Sequence, residues 1–238
     1  TFHGPPSRKR CQNSPTCAVT YRRQSHLALR VIHPADDRLL LGGALEAAWE
    51  ILTGAPPAGW STTEPVNLPW SRRQLTDLAR SRAQERAGSW LTAVGHPDHP
   101  AIAATHIVHT DAGVEERITL AVGCEAGQTS PMDRIEELAE TLATRHPLAT
   151  MLTQLRPGRA DLTTPAHFEP PPIPVSVTLG PDAVREAGLA HVRQAPGIPA
   201  TEFGSTRRPA LHYTLGNGTD PAAWKQLRTL NEHLKTNT

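Results

Sequence analysis

Twelve histidines and three cysteines hold most of the reactive side chains in this sequence, and four of the histidines form two His-x2-His pairs. His96 and His99 lie in a proline-bounded turn, while His106 and His109 lie in a segment with strand character. Zinc sites use such spacings, but residues three apart on a strand point to opposite faces, so His106 and His109 cannot share one ion without a bulge. No metal site is expected. Cys124 follows the next strand-like segment. A nucleophilic cysteine needs a base and a lowered pKa, and His106 or His109 on the neighbouring strand could supply the base, with Asp111 in the turn between them. No local nucleophile motif surrounds Cys124, and a small buried residue at a strand end is the plainer reading.

Two adjacent acid pairs, Glu115-Glu116 and Glu136-Glu137, do not form a general acid/base couple, because neighbouring residues diverge on a strand and sit about 100° apart on a helix. They read as solvated faces. The run Gly216-Asn217-Gly218-Thr219 between a strand and a helix resembles a phosphate cradle, which needs free N–H groups at a helix N-terminus. Here Asp220 and Pro221 stand at the helix start. The aspartate supplies its own carboxylate to those donors, and no lysine follows Gly218 as a phosphate loop would require. A rigid capped turn is expected instead.

No single stretch carries a catalytic constellation. Residues 55–70 form a long connection carrying Trp60, Trp70 and several prolines. Long connections inside compact domains are often functional, and tryptophan is enriched at binding hot spots. Trp60, Trp70 and the turn residues Gly216, Asn217, Gly218 and Asp220 are therefore the candidate partner-binding surface.

Composition narrows the class. Lysine and arginine total 24 against 23 aspartates and glutamates over 238 residues, which gives no global electrostatic case for nucleic acid or an anionic membrane. A local basic cluster, Arg8, Lys9, Arg10, Arg22 and Arg23, makes nucleic-acid binding through an N-terminal arm the third functional alternative. Three cysteines define no disulfide framework, and a reducing, cytoplasmic setting is the default. No apolar run approaches the roughly 20 residues that span a bilayer. No cofactor motif is present, so no cofactor is expected.

The elements that must position these residues are legible in outline. Residues 1–25 read as a disordered basic arm. Leu27, Leu29 and Val31 alternate as a strand. Leu41, Leu45, Ala48, Trp49 and Leu52 fall at helical spacing, ended by Gly54. Ser71 to Gln74 is a capping box that opens a second helix. A β-meander covers 89–95, 101–110 and 114–122, with Val114, Glu116, Ile118, Leu120 and Val122 on one face. Ser130-Pro131 opens a helix that His146-Pro147 interrupts, and Leu148, Met151, Leu152 and Leu155 predict a second short helix. Two strand–turn–helix units follow, at 175–187 and 210–234, and irregular structure is expected between them. The expected fold is α+β, an antiparallel or mixed sheet with helices packed mainly on one face. Its parts are the arm (1–25), an α+β subdomain (26–156), a proline-rich connection (157–172) and a strand–helix repeat subdomain sharing the core (173–238).

Several stretches resemble one family. They are Leu39 to Trp49, Ala58-Gly59-Trp60, Glu64 to Ser71 and Arg208 to Pro221. The family is an actinobacterial one known as a domain of unknown function, and the resemblance spans most of residues 26–238. It implies that the chain is the C-terminal portion of a longer protein, since members extend further at the N-terminus. It also implies a setting near type VII secretion or polymorphic toxin loci, and it brings no activity, cofactor or catalytic residues. The reading is thus a non-enzymatic protein-binding module, a chaperone, adaptor or immunity-like accessory component whose partner is another protein. The alternative is a hydrolase or transferase using His106, His109, Asp111 and Cys124.

Overall fold

The computed structural model of the chain describes residues 22–124, 131–164 and 170–235. Residues 1–21 of the basic arm, with Cys11 and Cys17, and the Ser130 cap fall outside the described residues, whereas Arg22 to Ser25, expected as part of the disordered arm, are corrected to the start of the first strand. The elements run β1 (Arg22–His33), α1 (Gly43–Thr53), β2 (Gly59–Ser61), β3 (Leu68–Pro69), α2 (Arg72–Gln84), β4 (Ser89–Val94), β5 (Ala101–Thr110) and β6 (Gly113–Cys124). After a 3-10 turn at Pro131–Arg134 come α3 (Ile135–Arg145), β7 (Leu148–Gly158), β8 (Ile173–Leu179), α4 (Pro181–Ala187), α5 (Leu189–Val192), β9 (Ala200–Ser205), β10 (Arg208–Thr214) and α6 (Ala223–Lys235). The described strands form one ten-stranded sheet, ordered β3-β2-β4-β5-β6-β1-β7-β8-β10-β9, and its pairings are antiparallel.

Register decides which side chains share a face. Leu29 of β1 stands opposite Ile118 of β6 and Met151 of β7, and Met151 stands opposite Thr178 of β8. That face carries the larger apolar cluster, closed by Leu45 and Trp49 of α1, Leu75 of α2, and Leu138 and Leu142 of α3. One residue along, Leu152 faces Val177, and Val177 faces Tyr213 of β10. These point the other way and pack with Val184, Val192, Leu227 and Leu230 of α4, α5 and α6. The α+β class with an antiparallel sheet is as expected. The placement of helices mainly on one face is corrected: α1–α3 cover one side and α4–α6 the other.

Local signals account for most elements. The Ser71 hydroxyl accepts the Gln74 N–H at 3.4 Å, as the capping box requires. Gly54 takes φ 82° at the end of α1, a left-handed position that suits glycine. Both strand–turn–helix units are present as β8–α4 and β10–α6, on neighbouring strands. The segment around Leu148, Met151, Leu152 and Leu155 is strand β7, not a helix. It lies between β1 and β8 and is covered on both faces over much of its length, so apolar residues occur on both sides of the pleat and imitate helical spacing. The stretch expected to be irregular contains edge strand β9, and residues 55–70 contain the short strands β2 and β3. The proline-rich connection joins β7 to β8, which are neighbours in the same sheet.

Candidate functional site

In β4, Leu91 and Ala93 enter the core, so alternation turns Trp90 to the opposite face. Trp90 is register-paired with His106 of β5, His106 with Arg117 of β6, and Arg117 with Arg30 of β1. One row of side chains therefore crosses four strands. The helices of this face pack over β8 and β10, while Ala28, Thr119 and Ala104, which form the next row two residues along, are exposed. Trp90 is 62% exposed, and Ile102 on the same face is 42% exposed. The Trp90 and His106 rings lie 4.0 Å apart with planes at 7°, a parallel stack that fixes the indole on the pleat.

The cationic end of the row is held from below. Arg30 and Arg117 stand directly opposite each other, an arrangement that like charges disfavour. Glu115 resolves it by accepting two hydrogen bonds from Arg30, at 2.8 and 3.0 Å, and one from Arg117 at 2.6 Å. The Arg30 hydrogen bonds, aided by Arg117 and opposed by burial, lower the Glu115 pKa to about 2. The carboxylate is buried beneath guanidinium groups that are about half exposed. The open face thus presents an aromatic end at Trp90, exposed apolar surface at Ile102 four residues along β5 from His106, and a cationic end at Arg117 and Arg30.

A second polar cluster sits on the core face at the start of α1. Both oxygens of the buried Glu116 are engaged, one by His33 Nε2 at 2.6 Å and one by the Gly42 N–H at 2.9 Å. Trp70 lies against Gly42, where an added Cβ would stand 3.2 Å from its Cζ2. Arg72 and His146 close over Gly43, 2.6 and 3.4 Å from the corresponding position. Burial, with Arg72 and His33 nearby, pushes the His146 pKa below its ordinary value. Because Glu116 already has two protein partners, it pins the start of α1 to the sheet. The reading of Glu115 and Glu116 as solvated is corrected: both are buried, one under arginines and one under a helix. Glu136 and Glu137 are exposed.

The other sequence candidates are dispersed. Trp60 is 3% exposed and belongs to the core, so it offers no surface; Trp70 is half-buried. Gly216, Asn217 and Asp220 are exposed and Gly218 half-buried, in a turn where Asn217 accepts the Thr219 N–H and Asp220 the Ala222 N–H. That internal capping fits a rigid turn. His106 and His109 lie on opposite faces of β5, as alternation requires. His109 is paired with Val114 at one end of β6, whereas Cys124 ends that strand ten residues on, roughly 30 Å away at strand rise. Burial pushes the Cys124 pKa up, which keeps it a thiol. Asp111 is exposed in the hairpin turn beside His109. These four residues do not assemble into one site. Among the described residues no group of three or more His, Cys, Asp or Glu side chains is arranged to hold a metal.

Residues 24–236 match the family described as DUF6177, C-terminal domain. The chain belongs to this family. No curated protein matches it. No helix of the described residues is long and apolar enough to cross a membrane. In this DUF6177 C-terminal domain, sequence reasoning missed Trp90, Ile102, Arg30 and Arg117. The signal was present in β4, where Trp90 stands out of phase with Leu91 and Ala93, a large apolar residue on the wet side of an alternating strand.

Proposed function

We propose that this chain is a non-enzymatic protein-binding module whose partner docks on the open half of the sheet, over β4, β5, β6 and β1. The observation that carries this reading is Trp90, 62% exposed and held rigid by its stack on His106. Tryptophan and arginine dominate binding hot spots, and a preordered aromatic loses little entropy on docking. Arg117 and Arg30 continue the row and favour a partner surface that combines an apolar patch with carboxylates. The candidate surface therefore moves from Trp60 to Trp90, while Trp70 and the Gly216–Asp220 turn lie elsewhere on the molecule. A role as a chaperone, adaptor or immunity-like component, a cytoplasmic location, and an actinobacterial setting near secretion or toxin loci belong to the same proposal. The dispersal of His106, His109, Asp111 and Cys124 weighs against the enzymatic alternative.

The test is co-purification of the tagged chain from its native host, comparing wild type with a Trp90→Ala, Ile102→Ser double variant of unchanged melting temperature. A stoichiometric protein retained by wild type and lost from the variant supports the reading. A partner retained equally by both, or recovery of nucleic acid in place of protein, overturns it.

A further inference from the structure

The far end of α2 presents a different feature. The helix closes with a Schellman pattern, in which the Arg86 N–H donates to the Ala83 carbonyl oxygen and the Ala87 N–H to that of Arg82, both at 2.9 Å. The left-handed residue of this pattern is normally glycine, because a Cβ there crowds the following carbonyl. Here it is Arg86, with φ 56°. Non-glycine residues in this region concentrate at functional sites.

Beyond Arg86 the helix no longer covers the β5–β6 hairpin, and a cleft of about 730 Å³ opens, within the range of small-ligand sites. Its walls are apolar, formed by Leu39, Ala83, Ala87 and Val114. The short side chains of Ala83 and Ala87, with Gly88, leave the space. A recess of about 50 Å³ continues inward to Leu41, Ala79 and Ile107. The rim is polar. Arg80 donates to the carbonyls of Asp37 and Leu39, which fixes the segment ahead of α1 as one lip. Asp36 accepts the Arg38 N–H at 2.8 Å. Arg86 and His109 complete the rim, and among the described residues no carboxylate pairs with Arg86.

We propose that this cleft binds a small amphipathic anion, its apolar tail entering the recess and its carboxylate or phosphate head meeting Arg86 beside His109. Arg86 occupies a backbone position that glycine would relieve and places a cation at the mouth, and an apolar recess under a rim that carries Arg80 and Arg86 against Asp36 favours that ligand class. This site is separate from the Trp90 face and does not depend on the protein-binding reading.

The experiment is an amide NMR titration of the full chain with hexanoate and with hexyl phosphate, using hexylammonium as the charge control. Saturable shifts at Leu39, Ala83, Ala87 and Val114 are expected with at least one anion and not with hexylammonium, and the better anion identifies the head group. Arg86→Gly raises the melting temperature by about 2–4 °C and weakens anion binding at least about tenfold. Ala83→Leu, which fills the cleft, abolishes binding, and Trp90→Ala leaves it unchanged. Absence of saturable shifts from both anions, equal binding of hexylammonium, or undiminished binding by Arg86→Gly overturns the proposal.

Discussion

His191 and His233 hold each other reciprocally: His191 Nε2 lies 2.7 Å from the backbone oxygen of His233, and His233 Nε2 lies 2.9 Å from that of His191. Their rings stack 4.0 Å apart at 18°. A carbonyl oxygen only accepts, so each ring donates from Nε2–H. The pair ties the last turn of α6 to α5 across 42 residues, at a point where α6 is otherwise anchored mainly by Leu227 and Leu230. Replacing His233 with alanine removes its Nε2–H hydrogen bond to the His191 carbonyl and the ring stack, while the His233 backbone oxygen remains to accept from His191, and a loss of about 1–2 kcal/mol is expected. Chemical denaturation measures the loss, and hydrogen exchange places it, with faster exchange confined to the end of α6.

Glu115 makes the fold acid-sensitive from below. Its folded-state pKa, about 2, is depressed from an ordinary 4.5 by the Arg30 hydrogen bonds, with Arg117 adding. A depressed carboxylate stabilises the fold fully above pH 4.5, and that contribution is lost as pH falls through the folded pKa. Because both arginines are about half exposed and screened, a contribution of about 1–2 kcal/mol is expected. Glu115→Gln loses it at neutral pH and leaves two opposed arginines unbridged. Its melting temperature should fall near pH 7 and depend less on pH between 4.5 and 2. An unchanged profile would separate Glu115 from acid stability.

His26 acts in the window above. Burial, with the Arg156 charge adding, lowers its pKa to about 4 from an ordinary 6.5. Burial also lowers the pKa of His212, whose Nδ1 lies 2.8 Å from the Thr178 hydroxyl. The unfolded chain therefore binds protons that the folded chain refuses, and stability falls as pH drops from about 6.5 toward 4. Between pH 6.5 and 4 the wild-type melting temperature should fall more steeply than that of His26→Gln, and equal slopes would separate His26 from this pH dependence.

Two glycines separate steric from conformational need. Gly180 has an ordinary backbone, φ −71°, yet an added Cβ would stand 1.6 Å from the Leu148 carbonyl oxygen where β8 passes into α4. Gly54 has φ 82° and nothing within 4 Å of its Cβ position. Gly180→Ala should cost about 3 kcal/mol, because a backbone must move, and Gly54→Ala about 1 kcal/mol, because only the local conformation suffers. Equal costs in denaturation would contradict this.

Much of this protein was determined locally and could be read from the chain. The Ser71–Gln74 capping box, the Gly54 end of α1 and the Asp220 turn depend on hydrogen bonds within a few residues, so residue type and spacing specify them. The period-two patterns of β1, β5 and β6 likewise announced strands and identified which residues travel together. The tertiary structure alone decided what each set faces. Leu148 to Leu155 carries apolar residues at a spacing that suits a helix or a strand covered on both sides, and only its position between β1 and β8 chose. Trp60 and Trp90 both lie on strands, but one points into the core cluster and the other lies where none of the described helices crosses. Glu115 and Glu116 are adjacent in sequence and end on opposite sides of the sheet, under two arginines and under α1. Burial, pairing and pKa are properties of the neighbours brought in by a ten-stranded register, and those neighbours lie tens of residues away, beyond the reach of any local pattern.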